Sequence, residues 1–226
     1  MAGFPLLAGF SPGAPIGWRG QRAVSWERFL GAAQAFAARL PRGGYCVNLC
    51  EDRLNFMLAY AAALLAGCTS LLPQSRAPDA LRELAQSYGG ALPVAEEGTV
   101  APSGCLRVEE ACWSRGISPA AIPSTSADQQ AATLFTSGST GAPQAHAKSW
   151  RSLVAASHAA RQGVRLAPGA ALLVAVPPQH MWGFEMSVML PMQSGCAVHP
   201  ACPLLPGEIV ETLAKLPAPR WLVATP

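Results

Sequence analysis

Short apolar runs alternate with segments of helical period along this chain, and that alternation restricts its fold more than any other feature. Ser25 can cap a helix in which Phe29, Ala32, Ala33, Phe36, Ala37 and Leu40 share a face, although Arg28 stands where a capping-box glutamate would; Pro41 stops it. Tyr45–Cys50 reads as a strand, and an Ala/Leu helix beginning at Asp52 or Asn55 runs to about Gly67. Thr69–Pro73, Leu92–Ala95, Ala131–Phe135, Ala170–Val176 and Arg220–Thr225 read as further strands, with a short one at Ala197 and Val198. Between them Pro78–Tyr88, Trp150–Arg165, Gly183–Met192 and Glu208–Leu216 carry helical patterns, whereas 96–128 dissolves into Gly, Pro, Ser and Cys. Strands alternating with helices predict an α/β fold of layered sheets with flanking helices. No internal repeat is present, and the change of pattern near Asp128 suggests two subregions, 1–127 and 128–226.

Composition removes several classes. Half of the 226 residues are hydrophobic and 13% are charged, which excludes a disordered, charge-rich chain. The net charge of +3 comes without a run of like charges, so neither a nucleic-acid track nor a basic membrane patch is expected. The longest apolar stretch, Phe56–Leu72, is interrupted by Gly67, Thr69 and Ser70 and reads as a buried helix and strand rather than a membrane span. The apolar start, Met1–Phe10, lacks a basic n-region and is broken by Gly3, Pro5 and Gly9, which makes it a poor signal peptide. Seven cysteines, an odd number with no C-x-x-C spacing, argue against a disulfide framework and a structural zinc site. They read as small core residues of a chain in a reducing compartment, hence cytoplasmic.

The chemistry concentrates in Leu134-Phe-Thr-Ser-Gly-Ser-Thr-Gly-Ala-Pro143. Thr136, Ser137, Ser139 and Thr140 surround Gly138 and Gly141 directly after a strand. Glycines let backbone N–H groups approach a ligand, and hydroxyls add donors that rotate toward phosphate oxygens. The same composition also suits a plain polar turn, and on the residues alone both readings stand. No lysine follows either glycine, so a Walker loop is excluded, and neither G-x-S-x-G nor G-x-G-x-x-G is present.

The order Thr-Ser-Gly-Ser-Thr-Gly-x-Pro closely resembles the phosphate-binding signature of the adenylate-forming superfamily, which includes acyl- and aryl-CoA synthetases, peptide-synthetase adenylation domains and luciferases. Val24–Leu30, Val47–Pro73, Pro177-Pro-Gln-His-Met-Trp-Gly183 and Gly195-Cys196 resemble further elements of that family in the same order. The resemblance implies an enzyme that joins a carboxylic acid to ATP, releases pyrophosphate with the help of Mg2+, and passes the acyl group to coenzyme A or to the phosphopantetheine thiol of an acyl carrier protein. It implies that Thr136, Ser137, Gly138, Ser139, Thr140 and Gly141 hold the β- and γ-phosphates. It also implies that His180, Trp182, Gly183 and Phe184 lie near the acid, with Gly183 giving room and Trp182 or Phe184 forming a wall. Read as residues, His180 also suits a core or helix-capping histidine, and Trp182 also suits a packed core position.

Gln144 stands where the family has a basic residue, so Lys148, four residues on, becomes the candidate catalytic residue, with Arg151 a second choice and a solvated charge the alternative. The run His146-x-Lys148-x-Trp150 is similar to small ligases that load acyl carrier proteins in aryl-polyene pigment pathways. Family members are about twice as long. The resemblance therefore implies the leading, partial N-terminal domain of an adenylate-forming enzyme, without the mobile C-terminal domain and inactive alone. No magnesium ligand is identifiable, and neither the acid nor the oligomeric state can be read from the sequence. The alternative is a truncated, non-catalytic module that binds a nucleotide or another chain.

Overall fold

Twelve consecutive residues, Arg53 to Leu64, are buried within one helix. A helix buried on every side has to lie between two other layers. Its run of small residues, Ala59, Ala61, Ala62 and Ala63, lets neighbouring elements approach closely. The structure, a computed structural model, describes residues 3–114, 121–137 and 143–225. In chain order its elements are β1 (Gly3–Pro5), β2 (Pro15–Arg19), β3 (Arg22–Ser25), α1 (Trp26–Ala37), β4 (Tyr45–Asn48) and α2 (Arg53–Leu65). There follow β5 (Thr69–Leu72), α3 (Pro78–Ser87), β6 (Leu92–Glu96), β7 (Leu106–Val108), α4 (Glu110–Ser114), β8 (Ser124–Ser126), β9 (Gln130–Ser137) and β10 (Pro143–Ser149). The last are α5 (Trp150–Gly163), β11 (Ala171–Val174), α6 (Met181–Phe184), a π-helical turn at Glu185–Met189, α7 (Leu190–Ser194), β12 (Ala197–Val198), α8 (Pro206–Lys215) and β13 (Arg220–Val223).

Two sheets enclose the central helices. One has the order β10-β9-β5-β4-β6-β7, parallel except for the β9–β10 hairpin. The other runs β13-β11-β12-β2-β3, parallel except for β2–β3. Successive strand residues point to opposite faces, and the core divides accordingly. In the first sheet Cys46, Leu72, Val94, Ala132 and Leu134 join the large central cluster with α1 and α2, whereas Val47, Leu71 and Ala95 pack outward against Leu81 of α3. In the second, Leu172 and Val174 face the centre while Ala171 and Leu173 meet Ile209 and Leu213 of α8. The result is helix, sheet, helices, sheet, helix: the expected layered α/β architecture.

Helix starts follow local chemistry. Ser25 Oγ accepts the Arg28 N–H at 3.3 Å, Asp52 Oδ1 accepts that of Asn55 at 3.0 Å, and Ser149 Oγ that of Ser152 at 3.2 Å. The start of α2 is held again from outside, because the Glu96 carboxylate at the end of β6 accepts N–H groups of Glu51 (2.8 Å) and Asp52 (3.1 Å) and the Asn55 amide (2.9 Å). Burial raises the Asp52 carboxyl above its usual range, and the neighbouring Glu96 charge adds to that effect.

Three expectations change in detail. The polar turn after β9 gives way to a seven-residue strand, β10, whose Gln144, His146 and Lys148 alternate with Ala145 and Ala147. It lacks the β-branched residues that advertise a strand, and it exists by pairing along the edge of β9. The stretch 96–128, read as a connection with local structure, holds the short elements β7, α4 and β8, whose bounds no periodicity marks. The helix read at Gly183–Met192 is a continuous helical stretch interrupted by the π turn. Five of the seven cysteines are buried, in line with their reading as core residues. No helix among the described residues is long and apolar enough to cross a membrane.

Tyr60 is an unusual core member. Its ring stands edge-on to Phe184 at 5.0 Å, and among the described residues its buried hydroxyl has no hydrogen-bond partner. Burial raises its pKa well above the ordinary tyrosine value. Removing an unsatisfied hydroxyl relieves its desolvation cost, so Tyr60→Phe should leave stability unchanged or raise it by about 1 kcal/mol in urea unfolding.

Candidate active site

The candidate site residues fall on strands β9 and β10 and on the segment between β11 and the π turn. In the hairpin Pro143 pairs with Ser137, Gln144 with Thr136, His146 with Leu134 and Lys148 with Ala132. Residues directly opposite in an antiparallel pair share a face, so His146 and Lys148 lie on the side of the sheet that Ala132 and Leu134 turn to the central core. Both are half-buried at this sheet edge. Gly138, Ser139, Thr140 and Gly141 lie outside the described residues, and for Thr136 and Ser137 the description extends to the backbone of β9 alone.

The second component begins after β11. His180 occupies the N-cap position of α6 with an extended backbone (φ −82°, ψ 145°); its N–H donates to the Pro177 carbonyl at 3.2 Å, and its carbonyl accepts the Phe184 N–H at 2.7 Å. Its imidazole makes no capping hydrogen bond and is half-buried, so the helix-capping alternative does not describe it. Trp182 is 42% exposed, which is more than a core tryptophan shows and leaves its ring available as a wall. Phe184 is fully buried against Tyr60, behind that surface. The space left by Gly183 is taken by backbone: a Cβ there would stand 2.0 Å from the Pro177 carbonyl oxygen and 2.9 Å from that of Val176. This glycine is needed for α6 to fold back onto its own entry.

Glu185 lies within electrostatic reach of Lys148. Half-buried in the π turn, its carboxyl is raised by desolvation, and the Lys148 ammonium opposes that rise. Lys148 and the segment that starts at His180 therefore act on one locality, although 37 positions separate Lys148 from Glu185. Nothing local in the sequence marked Glu185; the π turn that carries it is a local distortion often associated with function, but it has no sequence signature of its own. A raised carboxylate pKa means that the folded chain holds the proton more tightly than the unfolded one. Its contribution to stability is thus present at acidic pH and lost as pH rises from the unfolded value, near 4.5, through the raised folded value. Lys148→Met should raise the Glu185 pKa further, measurable by carbon-13 NMR titration of the glutamate carboxyls; an unchanged or lowered value would separate the two residues.

Among the described residues no group of three or more His, Cys, Asp or Glu could hold a metal ion. A cavity of about 550 Å³ lies on the opposite face of the first sheet, lined by Val47, Leu49, Arg76, Leu81, Ala91 and Pro102, and contains none of the expected site residues.

Comparison with known proteins bears on the fold and the family. A 4-coumarate–CoA ligase of Rhodobacter capsulatus is 36% identical over 83 residues, which cover 36% of this chain and 22% of that protein. A malonyl-CoA ligase, solved as a ternary product complex with methylmalonyl-CoA and AMP, superposes with a TM-score of 0.75 at 21% identity, over 93% of this chain and 46% of the other. The o-succinylbenzoate coenzyme A synthetase of Bacillus subtilis, solved with ATP and magnesium ion, gives 0.71 at 14% identity over 91% and 58%. This chain thus spans about a fifth of the curated relative and about half of the structures that it matches. At these identities the structures establish the fold alone, but the sequence model of the AMP-binding enzyme family matches residues 10–226, and the chain belongs to that family.

Proposed function

We propose that the complete protein is an AMP-forming acid–thiol ligase. In the reaction a carboxylate oxygen attacks the α-phosphorus of ATP and pyrophosphate departs; a thiol then attacks the acyl carbon of the acyl-adenylate, forming a thioester and releasing AMP. The observation that carries this reading is the family match over 10–226; the charge of Lys148, felt at Glu185, supports bringing strand β10 and the His180 segment into one site.

On this reading Thr136, Ser137, Ser139 and Thr140, with the backbone at Gly138 and Gly141, bind the β- and γ-phosphates as charge develops on pyrophosphate. Lys148 neutralises part of that charge from the neighbouring strand, and Glu185 holds Lys148 in place. His180 orients the acid's carboxylate through a ring N–H, with Trp182 against the acyl or aryl body. Mg2+ would neutralise the polyphosphate; no described residue is assigned to it, and no step is derived through it. The acceptor is coenzyme A or the phosphopantetheine thiol of a carrier protein.

The test is acid-dependent exchange of pyrophosphate into ATP by the product of the complete gene, over a panel of aliphatic and aromatic acids. Thr136→Ala and Ser137→Ala should each lower exchange by about 100-fold, the effect of removing a preorganised donor to a developing anion. Exchange that survives both changes would remove the hairpin from the site. Incubating the active mixture with coenzyme A or with a carrier protein that bears a free phosphopantetheine thiol, and identifying the thioester by mass, would choose the acceptor. The 226-residue chain alone, which spans about half of the ligase structures it resembles, is expected to show no turnover.

A further inference from the structure

One side chain braces the His180 segment from behind. Arg53, the first residue of α2, is wholly buried. Its Nη1 donates to Ser187 Oγ at 2.6 Å, its Nη2 to the Val174 and Val176 carbonyls (2.8 Å for Val176), and its Nε to the Ala201 carbonyl at 3.3 Å. The Ser187 hydroxyl in turn donates a hydrogen bond to the Gly183 carbonyl at 2.6 Å. These acceptors are neutral oxygens. Val174, Val176, Ser187 and Ala201 lie 121 to 148 positions from Arg53 along the chain.

A buried guanidinium is costly unless its donors are met, and an apolar side chain would fill the same volume without that cost. What the cation adds is geometry. Its rigid planar fork ties several chain segments at fixed angles, which the single ammonium of a lysine cannot reproduce. Two of the tied groups bound the segment under discussion: the Val176 carbonyl immediately before Pro177-Pro178, and Ser187, whose hydroxyl holds Gly183 within α6. Between those ties lie His180 and Trp182.

We propose that Arg53 is a positioning residue for acid activation, which fixes the 176–187 segment through Val176 and through Ser187–Gly183 so that His180 and Trp182 meet the carboxylic acid beside Lys148. This rests on the proposed ligase reading of His180 and Trp182. Arg53 itself touches no substrate; it acts through the backbone that carries those side chains.

The experiment has two arms. Amide hydrogen exchange, followed by mass spectrometry on this chain, should show residues 179–187 exchanging at least tenfold faster in Arg53→Lys and Ser187→Ala, with β9 and α1 unchanged. Ser187→Ala removes one hydroxyl and keeps the buried cation, so it remains informative if Arg53 variants fail to fold. In the complete gene product, both substitutions should raise KM for the acid at least tenfold while KM for ATP stays within twofold. Uniform or absent changes in amide exchange would overturn the brace. Acid and ATP KM values that move together, or not at all, would overturn its role in acid positioning. If the unaltered complete protein shows no acid-dependent exchange, the ligase reading falls and takes this role with it; the hydrogen-exchange arm still scores the brace separately, so the two failures are distinguishable.

Discussion

Gly183→Ala is expected to lower the unfolding free energy by about 3 kcal/mol and to abolish acid activation in the complete protein. The added methyl would lie 2.0 Å from the Pro177 carbonyl oxygen and 2.7 Å from its carbon, and both belong to backbone. A flexible side chain could swing away; a carbonyl between Val176, tied to Arg53, and Pro178 cannot do so without moving the segment. Relief therefore requires α6 to rise from its entry loop, which shifts His180 and Trp182 together and breaks the Ser187–Gly183 hydrogen bond. Urea unfolding would measure the stability loss, and pyrophosphate exchange the activity. A folded Gly183→Ala protein with ordinary acid KM would show that the close approach at Pro177 does not set the site.

The second large effect is expected at Gly195, just past α7. Its backbone is left-handed (φ 69°), and a Cβ would meet the Gly9 carbonyl oxygen at 1.9 Å and the Gly9 carbon at 2.4 Å. Gly9 is confined from its own side, since a Cβ there would stand 2.7 Å from the Ser194 carbonyl carbon. Gly195→Ala combines left-handed strain of roughly 1 kcal/mol with a backbone clash of about 1–3 kcal/mol. The loss should approach about 4 kcal/mol and should loosen the N-terminal segment, where Ala8 N–H donates to Met192 and the Gln193 amide to Pro5 and Leu6. Limited proteolysis near residues 8–14 should accelerate with it. Gly163→Ala is the matching control: its Cβ meets nothing within 4 Å, and at the end of α5 it should be neutral or stabilising by up to about 1 kcal/mol. Equal effects at 195 and 163 would contradict the packing argument.

Both glycines show where sequence reading stopped. Gly183 was singled out through its motif, with room for a substrate as the expected role; the room is occupied by the Pro177 carbonyl. Gly195 is legible only as part of a family-like element, and nothing nearby in sequence indicates that Gly9 lies against it. The helices at 26, 53 and 150 were legible because a cap residue and an apolar period act over one or two turns, within the reach of neighbouring residues. Strand β10 was not legible as a strand, because its polar residues acquire their ladder only from β9. Lys148 was marked by its place after the hydroxyl-rich motif, whereas Glu185 and Arg53 carried no local sign of their roles.

The amino-acid order alone determined the alternation of strands and helices, the burial of the Ala-rich helix α2, and the hydroxyl and glycine signature that marks the family, since each depends on residues a few positions apart. The folded chain alone decided that Glu185 answers to Lys148, that Arg53 joins α2 to the end of β11 and to Ser187, and that Pro177 presses on Gly183. These contacts come from layers stacked face to face. Such stacking sets angles and distances between segments far apart in the chain, and no local propensity encodes them.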